Sequence, residues 1–143
     1  MPKVNSKYLL LDTHVWVWLI NADDRLNRNK YLKIIEHYST QGAVRVSAVS
    51  IWELGMLVAK ERLILSKNIH QWVQESLDSK GISLESLSID ILLESASMEG
   101  VHGDPADRMI LATALNINAM IMTADKEIIT YCRHHNLNVM PIR

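Results

Sequence analysis

Apolar and polar residues come in short blocks along this chain, and the period changes from block to block. The first block, Tyr8-Leu9-Leu10-Leu11, runs into Asp12 with no polar alternation. A run so short and so apolar predicts a strand buried on both faces, as inside a parallel sheet. From Thr13 the pattern turns helical, and residues 14–20 predict a short, very apolar helix that stops at Asn21. Asn21, Asp23 and Asp24 mark a turn. Residues 30–39 predict an amphipathic helix, because Tyr31, Ile34, Ile35 and Tyr38 fall on one face. Gln41-Gly42 ends it. Residues 43–47 predict a second strand, and Ser50-Ile51-Trp52-Glu53 fits a capping box that opens a helix through Leu57 or to Lys60. Residues 69–77 predict a helix with Trp72 and Val73 inward, closed by Lys80-Gly81. A third strand is expected over 84–89, a helix over 90–98 and a loop over 99–103. Asp104-Pro105 is a strong helix start, with Asp at the cap and Pro at the first helical position. That helix is expected to run to about Ala114. A strand over 119–122, a helix over 126–134 and a strand over 137–140 complete the chain.

Strands alternating with helices predict an α/β domain in which a parallel sheet is covered on both faces. Parallel strands bring their carboxyl ends to one edge, and ligands of open α/β sheets bind beyond that edge. Asp12 ends the first strand, Glu53 is expected in the first turn after the second, and Asp125 follows the fourth. Asp107, in the first turn of the helix that Asp104 caps, reaches the same edge if the preceding loop carries it there. Any one of these acids is explained by capping, since negative charge at a helix start is favourable by roughly 0.3–1 kcal/mol. Four together repel one another and raise one another's pKa unless a cation neutralises them. An all-oxygen donor set, with no supporting Cys or His pair, suits Mg²⁺ or Mn²⁺ rather than zinc. Such an ion suits phosphodiester hydrolysis.

Composition changes this picture only in places. The 143 residues suit one domain, and 48% apolar residues argue against disorder. A formal charge of −1 gives no global basic field, so cations for a nucleic acid would have to come from a local patch or a partner. Cys132 is the only cysteine, which precludes an internal disulfide and fits a reducing cytoplasm. Its expected role is that of a buried structural thiol. The start of the chain shows no signal-peptide pattern, and no apolar run reaches membrane-spanning length.

Four segments carry a family resemblance. Leu10-Leu-Asp-Thr-His-Val-Trp16, Ser47-Ala-Val-Ser-Ile-Trp-Glu-Leu54, His102-Gly-Asp-Pro-Ala-Asp-Arg-Met-Ile-Leu-Ala112 and Thr123-Ala-Asp-Lys-Glu127 resemble, in order, the acidic motifs of PIN-domain ribonucleases. The toxins of VapC type are the nearest match. The resemblance implies a three-layer α/β/α fold, with about five parallel strands. Within the single domain that the length suits, the helix pair between the second and third strands, approximately residues 49–82, is expected to project as a lid or partner-binding element. The resemblance also implies Mg²⁺- or Mn²⁺-dependent endoribonuclease activity on RNA, a cognate antitoxin and a homodimer. Carried across by motif, the metal-binding and catalytic acids are Asp12, Glu53, Asp107 and Asp125. Asp104 is assigned mainly to capping, with metal binding as its alternative. Ala106 stands where an aromatic residue is frequent in the subgroup, which bears on packing.

Thr13, Ser50 and Thr123 lie beside three of the acids and are candidates to bind substrate or a carboxylate. Arg108 is a candidate for a phosphate contact or an ion pair with the acids. His14 and His102 are candidates for proton transfer, set against the plainer role of packing. Trp16, Trp18 and Trp52 lie on apolar helices, where core or dimer contact outweighs base stacking. Arg133, His134 and His135 read as a solvated helix end. The alternative of another class is a non-catalytic PIN-like module that binds RNA or protein. A phosphatase wants a second Asp two residues after the first, where His14 stands, and a receiver domain wants an acid pair near the first strand, where Leu10 and Leu11 stand.

Overall fold

The short apolar blocks become five parallel strands in a computed structural model that describes residues 6–26, 29–79, 81–101 and 104–143. They are β1 (Tyr8–Leu11), β2 (Val44–Ser47), β3 (Ile82–Glu85), β4 (Ala119–Thr123) and β5 (Val139–Pro141), arranged in the order β3-β2-β1-β4-β5. β1 is central, with Leu10 opposite Arg45 of β2 on one side and Ile121 of β4 on the other. Alternate side chains leave a strand on opposite faces. Leu9, Leu11, Val44, Val46, Met120 and Met122 accordingly join one apolar cluster, and Leu10 and Ile121 join the other. The strand order turns back between β1 and β4, so the crevice beyond their carboxyl ends is the switch point of the sheet.

Among the described residues seven α-helices cover the two faces. They are α1 (Thr13–Ile20), α2 (Asn29–Thr40), α3 (Ala48–Ala59), α4 (Ile69–Leu77), α5 (Ile89–Ser97), α6 (Pro105–Ile117) and α7 (Lys126–His134). Trp16, Tyr31, Ile35, Tyr38 and Trp72 from α1, α2 and α4 fill the first cluster, and Trp16 meets Trp72 edge-on with ring centroids 5.0 Å apart. Ile91, Ile110, Leu111, Ile128 and Cys132 from α5, α6 and α7 fill the second. Full burial of a Leu or Ile side chain stabilises by about 1.5–3 kcal/mol, so the Leu9–Leu11 run anchors both layers at once. Burial pushes the Cys132 thiol up to about 12, so it stays protonated, as a structural thiol should. Ala106 is buried in the second cluster and needs no aromatic replacement there.

Four expectations are corrected. The third strand is Ile82–Glu85, not 84–89: β3 is an edge strand, and Leu84 and Ile89 lie exposed while Ile82 is buried. An ion pair of 3.3 Å from Arg45 to Glu85 fixes it to β2. The helix after β2 starts three residues earlier than the capping-box pattern predicts. Its cap is Ser47, whose side chain accepts from the Val49 N–H, so Ser50 and Glu53 lie inside α3 and Glu53 belongs to its second turn. Third, α6 runs past Ala114 to Ile117, because Asn118 takes the left-handed conformation (φ 56°) that closes a helix. The last strand also shifts, to Val139–Pro141, with its proline at a sheet edge.

Candidate active site

The crevice at the switch point is walled by the first turns of α1, α6 and α7 and by the second turn of α3. Asp12 enters it from the end of β1 and is only 3% exposed. Both its carboxylate oxygens are engaged. Oδ1 accepts the Thr13 N–H at 2.8 Å, which caps α1, and Oδ2 accepts the Thr123 hydroxyl at 2.7 Å. Thr123 Oγ1 in turn accepts the Asp125 N–H at 3.0 Å. Asp125 caps α7, with Oδ1 accepting from Glu127 N and Ile128 N at 2.8 and 3.1 Å. The first and fourth acidic motifs are therefore tied together by a buried threonine.

The second and third motifs meet across α3 and α6. Carboxylate oxygens of Glu53, Asp104 and Asp107 all lie within 4.8 Å of one another. Asp104 caps α6 by accepting the Ala106 N–H at 3.0 Å through Oδ1. The capping role is as expected, and the same carboxylate lies in the acidic cluster, where its alternative role would place it. Thr13 Oγ1 is 2.5 Å from Glu53 Oε1 and 2.7 Å from Ser50 Oγ. An ionised carboxylate only accepts, so the single Thr13 proton serves Glu53, and the Ser50 hydroxyl turns its own toward Thr13. Thr13, Ser50 and Thr123 thus all face carboxylates or the groups that hold them.

The electrostatics follow from burial and crowding. Asp107 is pushed up to about 7, first by burial and then by the charges of Asp104, Asp12, Asp125 and Glu53. Glu53 is raised chiefly by burial, with the Thr13 hydroxyl acting against the shift and Asp12, Asp104 and Asp125 adding to it. Carboxylates raised by one another's charge are what a bound cation relieves. The donor set is all oxygen, it combines buried and open positions, and it fits a hard divalent ion.

Other candidates fall elsewhere. Arg108 Nη2 donates to the Val101 carbonyl at 3.0 Å, which ties the loop before α6 to the helix. Among the described residues it makes no ion pair with an acid. His14 Nε2 accepts the Ala124 N–H at 3.0 Å, and its Nδ1 lies 3.6 Å from Asp12 Oδ2. That backbone bond, invisible in a strand-and-helix reading, joins the Asp12-Thr13-His14 segment to the loop after β4. His102 lies outside the described residues. Trp16 is fully buried, Trp18 is partly buried, and Trp52 on α3 is 59% exposed.

Comparison with known proteins agrees with this fold. The PIN-domain family profile matches residues 9–134. Ribonuclease VapC22 of Mycobacterium tuberculosis is 32% identical over 123 residues, which span 84% of this chain and 88% of that protein. Among solved structures, VapBC2 from Rickettsia felis, bound to a DNA fragment from its promoter, superposes with a TM-score of 0.66 at 21% identity. That match covers 95% of this chain and 99% of the other. DNA-bound VapBC from Salmonella typhimurium superposes with a TM-score of 0.64 at 15% identity, covering 95% and 98%. These structures share the fold, and the sequence relationship carries the rest: the chain belongs to the PIN-domain family, as a relative of the VapC ribonucleases.

Proposed function

We propose that this protein is the toxin of a toxin–antitoxin pair, a Mg²⁺- or Mn²⁺-dependent endoribonuclease that hydrolyses RNA phosphodiester bonds. The observation that carries this is the meeting of Glu53, Asp104 and Asp107 in the crevice that buried Asp12 enters. Asp12, Glu53 and Asp107 hold the ion, with Asp125 assisting and Asp104 a further carboxylate at the exposed rim. When bound, the ion supplies a Lewis acid and lowers the pKa of water. The chain's own residues supply placement. Thr123 fixes Asp12 against Asp125, and Thr13 with Ser50 fixes Glu53, so these three hydroxyls orient acids rather than bind RNA.

The antitoxin expectation finds support on α3. Outside Ser50 and Glu53 this helix is apolar, a composition that usually means burial, yet Trp52 stands 59% exposed on it. Ile64, just beyond it, is 89% exposed. A protein partner would cover this surface, and the solved relatives are VapBC complexes. The expected homodimer would draw on a separate apolar patch, Ile89 and Leu93 of α5. Among the described residues no helix is long and apolar enough to cross a membrane, and the free, buried Cys132 suits a reducing cytoplasm.

The test is RNA cleavage by the purified protein on a mixed-sequence single-stranded pool. Cleavage is expected with Mn²⁺ and not with EDTA, and is expected to vanish in Asp12→Asn. Full cleavage by that variant overturns the assignment. A short neighbouring reading frame whose product co-purifies with the protein and stops cleavage is the expected signature of the antitoxin.

A further inference from the structure

We infer that His14 is a positioning residue, a neutral clamp that holds the loop carrying Asp125 at a fixed distance from Asp12. This rests on the reading of the site as a metal-dependent nuclease. A backbone N–H can only donate, so the bond from Ala124 N to His14 Nε2 (3.0 Å) makes Nε2 the acceptor. The ring proton must then sit on Nδ1, which faces Asp12 Oδ2 across 3.6 Å. One neutral tautomer therefore serves both neighbours, the Ala124 amide on one side and the Asp12 carboxylate on the other. Turning the ring over would bring the Cε1–H to the Ala124 amide, and the other tautomer would bring Nε2–H to it, so either change loses this bond.

The ring is also seated from behind. Trp18, one turn along α1, lies against it with centroids 4.9 Å apart at 57°. The Arg25 guanidinium covers Trp18 at 4.4 Å from the ring centre, and Arg25 is itself forked onto Asp23 at 2.9 and 2.7 Å. The chain of contacts Asp23–Arg25–Trp18–His14 ends on the loop between the two acids. Thr123 bonds Asp12 on one side of Ala124, and Asp125 follows on the other, so the His14 bond fixes the middle of the Thr123-Ala124-Asp125 segment. Outer partners that orient metal-binding carboxylates typically change metal affinity by about 10–100-fold.

The experiment compares His14→Leu with His14→Gln, measuring free Mn²⁺ by electron paramagnetic resonance and melting by calorimetry. Gln places an amide oxygen near the Nε2 position and can accept the Ala124 N–H; Leu cannot. His14→Leu is expected to weaken Mn²⁺ binding by about tenfold or more, with RNA cleavage recovering as Mn²⁺ is raised. His14→Gln is expected to restore affinity to within about threefold of the parent. Equal Mn²⁺ affinity in His14→Leu and the parent, or no rescue by His14→Gln, overturns the inference. In the unmutated protein, ¹⁵N correlation spectra of the ring are expected to show the Nδ1–H tautomer; the Nε2–H tautomer overturns it without reference to any variant. Asp12→Asn separates the two levels. If it binds Mn²⁺ and cleaves RNA like the parent, the metal-site reading fails and the inference with it. If it loses both while His14→Leu loses neither, only the clamp fails.

Discussion

Asp12 and Asp107 belong to one acidic crevice, yet the fold treats them in opposite ways. Asp12 is buried, and protein donors serve both its oxygens: the Thr13 amide at 2.8 Å and the Thr123 hydroxyl at 2.7 Å. Asp107 is half-buried on α6, and among the described residues no donor reaches its carboxylate. Burial and four neighbouring acids push it up to about 7. One side of the crevice is thus complete without a ligand, while the other carries crowded charge that the protein does not satisfy. Folding alone would favour Asn or Ala at position 107. Local choices that cost stability without evident structural return mark functional sites, and on the proposed reading the missing return at Asp107 is a cation.

The largest effects should come from the two acids, and they should differ in sign. In Asp12→Asn and Asp107→Asn alike, RNA cleavage is expected to fall by more than the roughly 10–100-fold typical of outer partners. Melting of the metal-free proteins near neutral pH should then separate them. Asp12→Asn places an NH₂ group where an acceptor stood and should cost about 1–3 kcal/mol. Asp107→Asn removes a repelled, partly desolvated charge and should melt above the parent. Two shifts of the same sign would erase the distinction between the halves.

Thr123 tests whether the complete half is also the organised one. Thr123→Val keeps the shape and removes the donor to Asp12 Oδ2 and the acceptor of the Asp125 amide. A bond to a charged group contributes about 1.5–3 kcal/mol, so a loss of that order is expected in chemical denaturation. Mn²⁺ affinity should fall by about 10–100-fold. Unchanged affinity would mean that Asp12 keeps its place without this tie.

The crowded half predicts a pH dependence. Asp107 has a folded pKa of about 7 against an ordinary 3.8, so the folded state binds its proton more tightly than the unfolded chain. The resulting stability is fully present below the unfolded value and is lost as pH rises through the folded one, from about 4 to about 7. Glu53, raised mainly by burial, acts in the same direction. The difference in melting temperature between parent and Asp107→Asn, measured in EDTA, should therefore swing toward the variant across that window. Saturating Mn²⁺ should abolish the swing in the parent. A difference that stays flat with pH would contradict the crowding.

How far the sequence could be read depended on whether each signal was local. β1 is legible because a strand buried on both faces needs no alternation, and Leu9-Leu10-Leu11 shows none. The convergence of Asp12, Glu53 and Asp125 follows from parallel strands alone, once the strands are placed. β3 was harder because an edge strand with exposed Leu84 lacks a continuous apolar run, and the more apolar stretch after it drew the boundary forward. The double use of Asp104 and the Ala124-to-His14 bond depend on how loops approach one another, which no spacing encodes. Ser50 shows the limit most clearly: its partner, Thr13, is 37 residues away, and the capping-box pattern it forms with Glu53 is a local coincidence.

The two serines of this region give the smallest effects and the most direct check on that reading. Ser47 is the cap of α3, accepting the Val49 N–H at 3.2 Å, so Ser47→Ala should cost about 1 kcal/mol. Below its melting temperature the variant should bind Mn²⁺ like the parent, since among the described residues the Ser47 hydroxyl bonds the Val49 amide and no acid of the crevice. Ser50→Ala leaves the cap intact but removes the hydroxyl beside Thr13, 2.7 Å away. Thr13 then keeps Glu53 as its acceptor but loses the neighbour that fixes its rotamer, and the effect should register as a few-fold weaker Mn²⁺ affinity. Were the capping box real, the pattern would invert: Ser50→Ala would lower the melting temperature and Ser47→Ala would be nearly silent. Calorimetry and Mn²⁺ titration on these two variants therefore decide whether Ser50 serves the helix or the carboxylate beyond it.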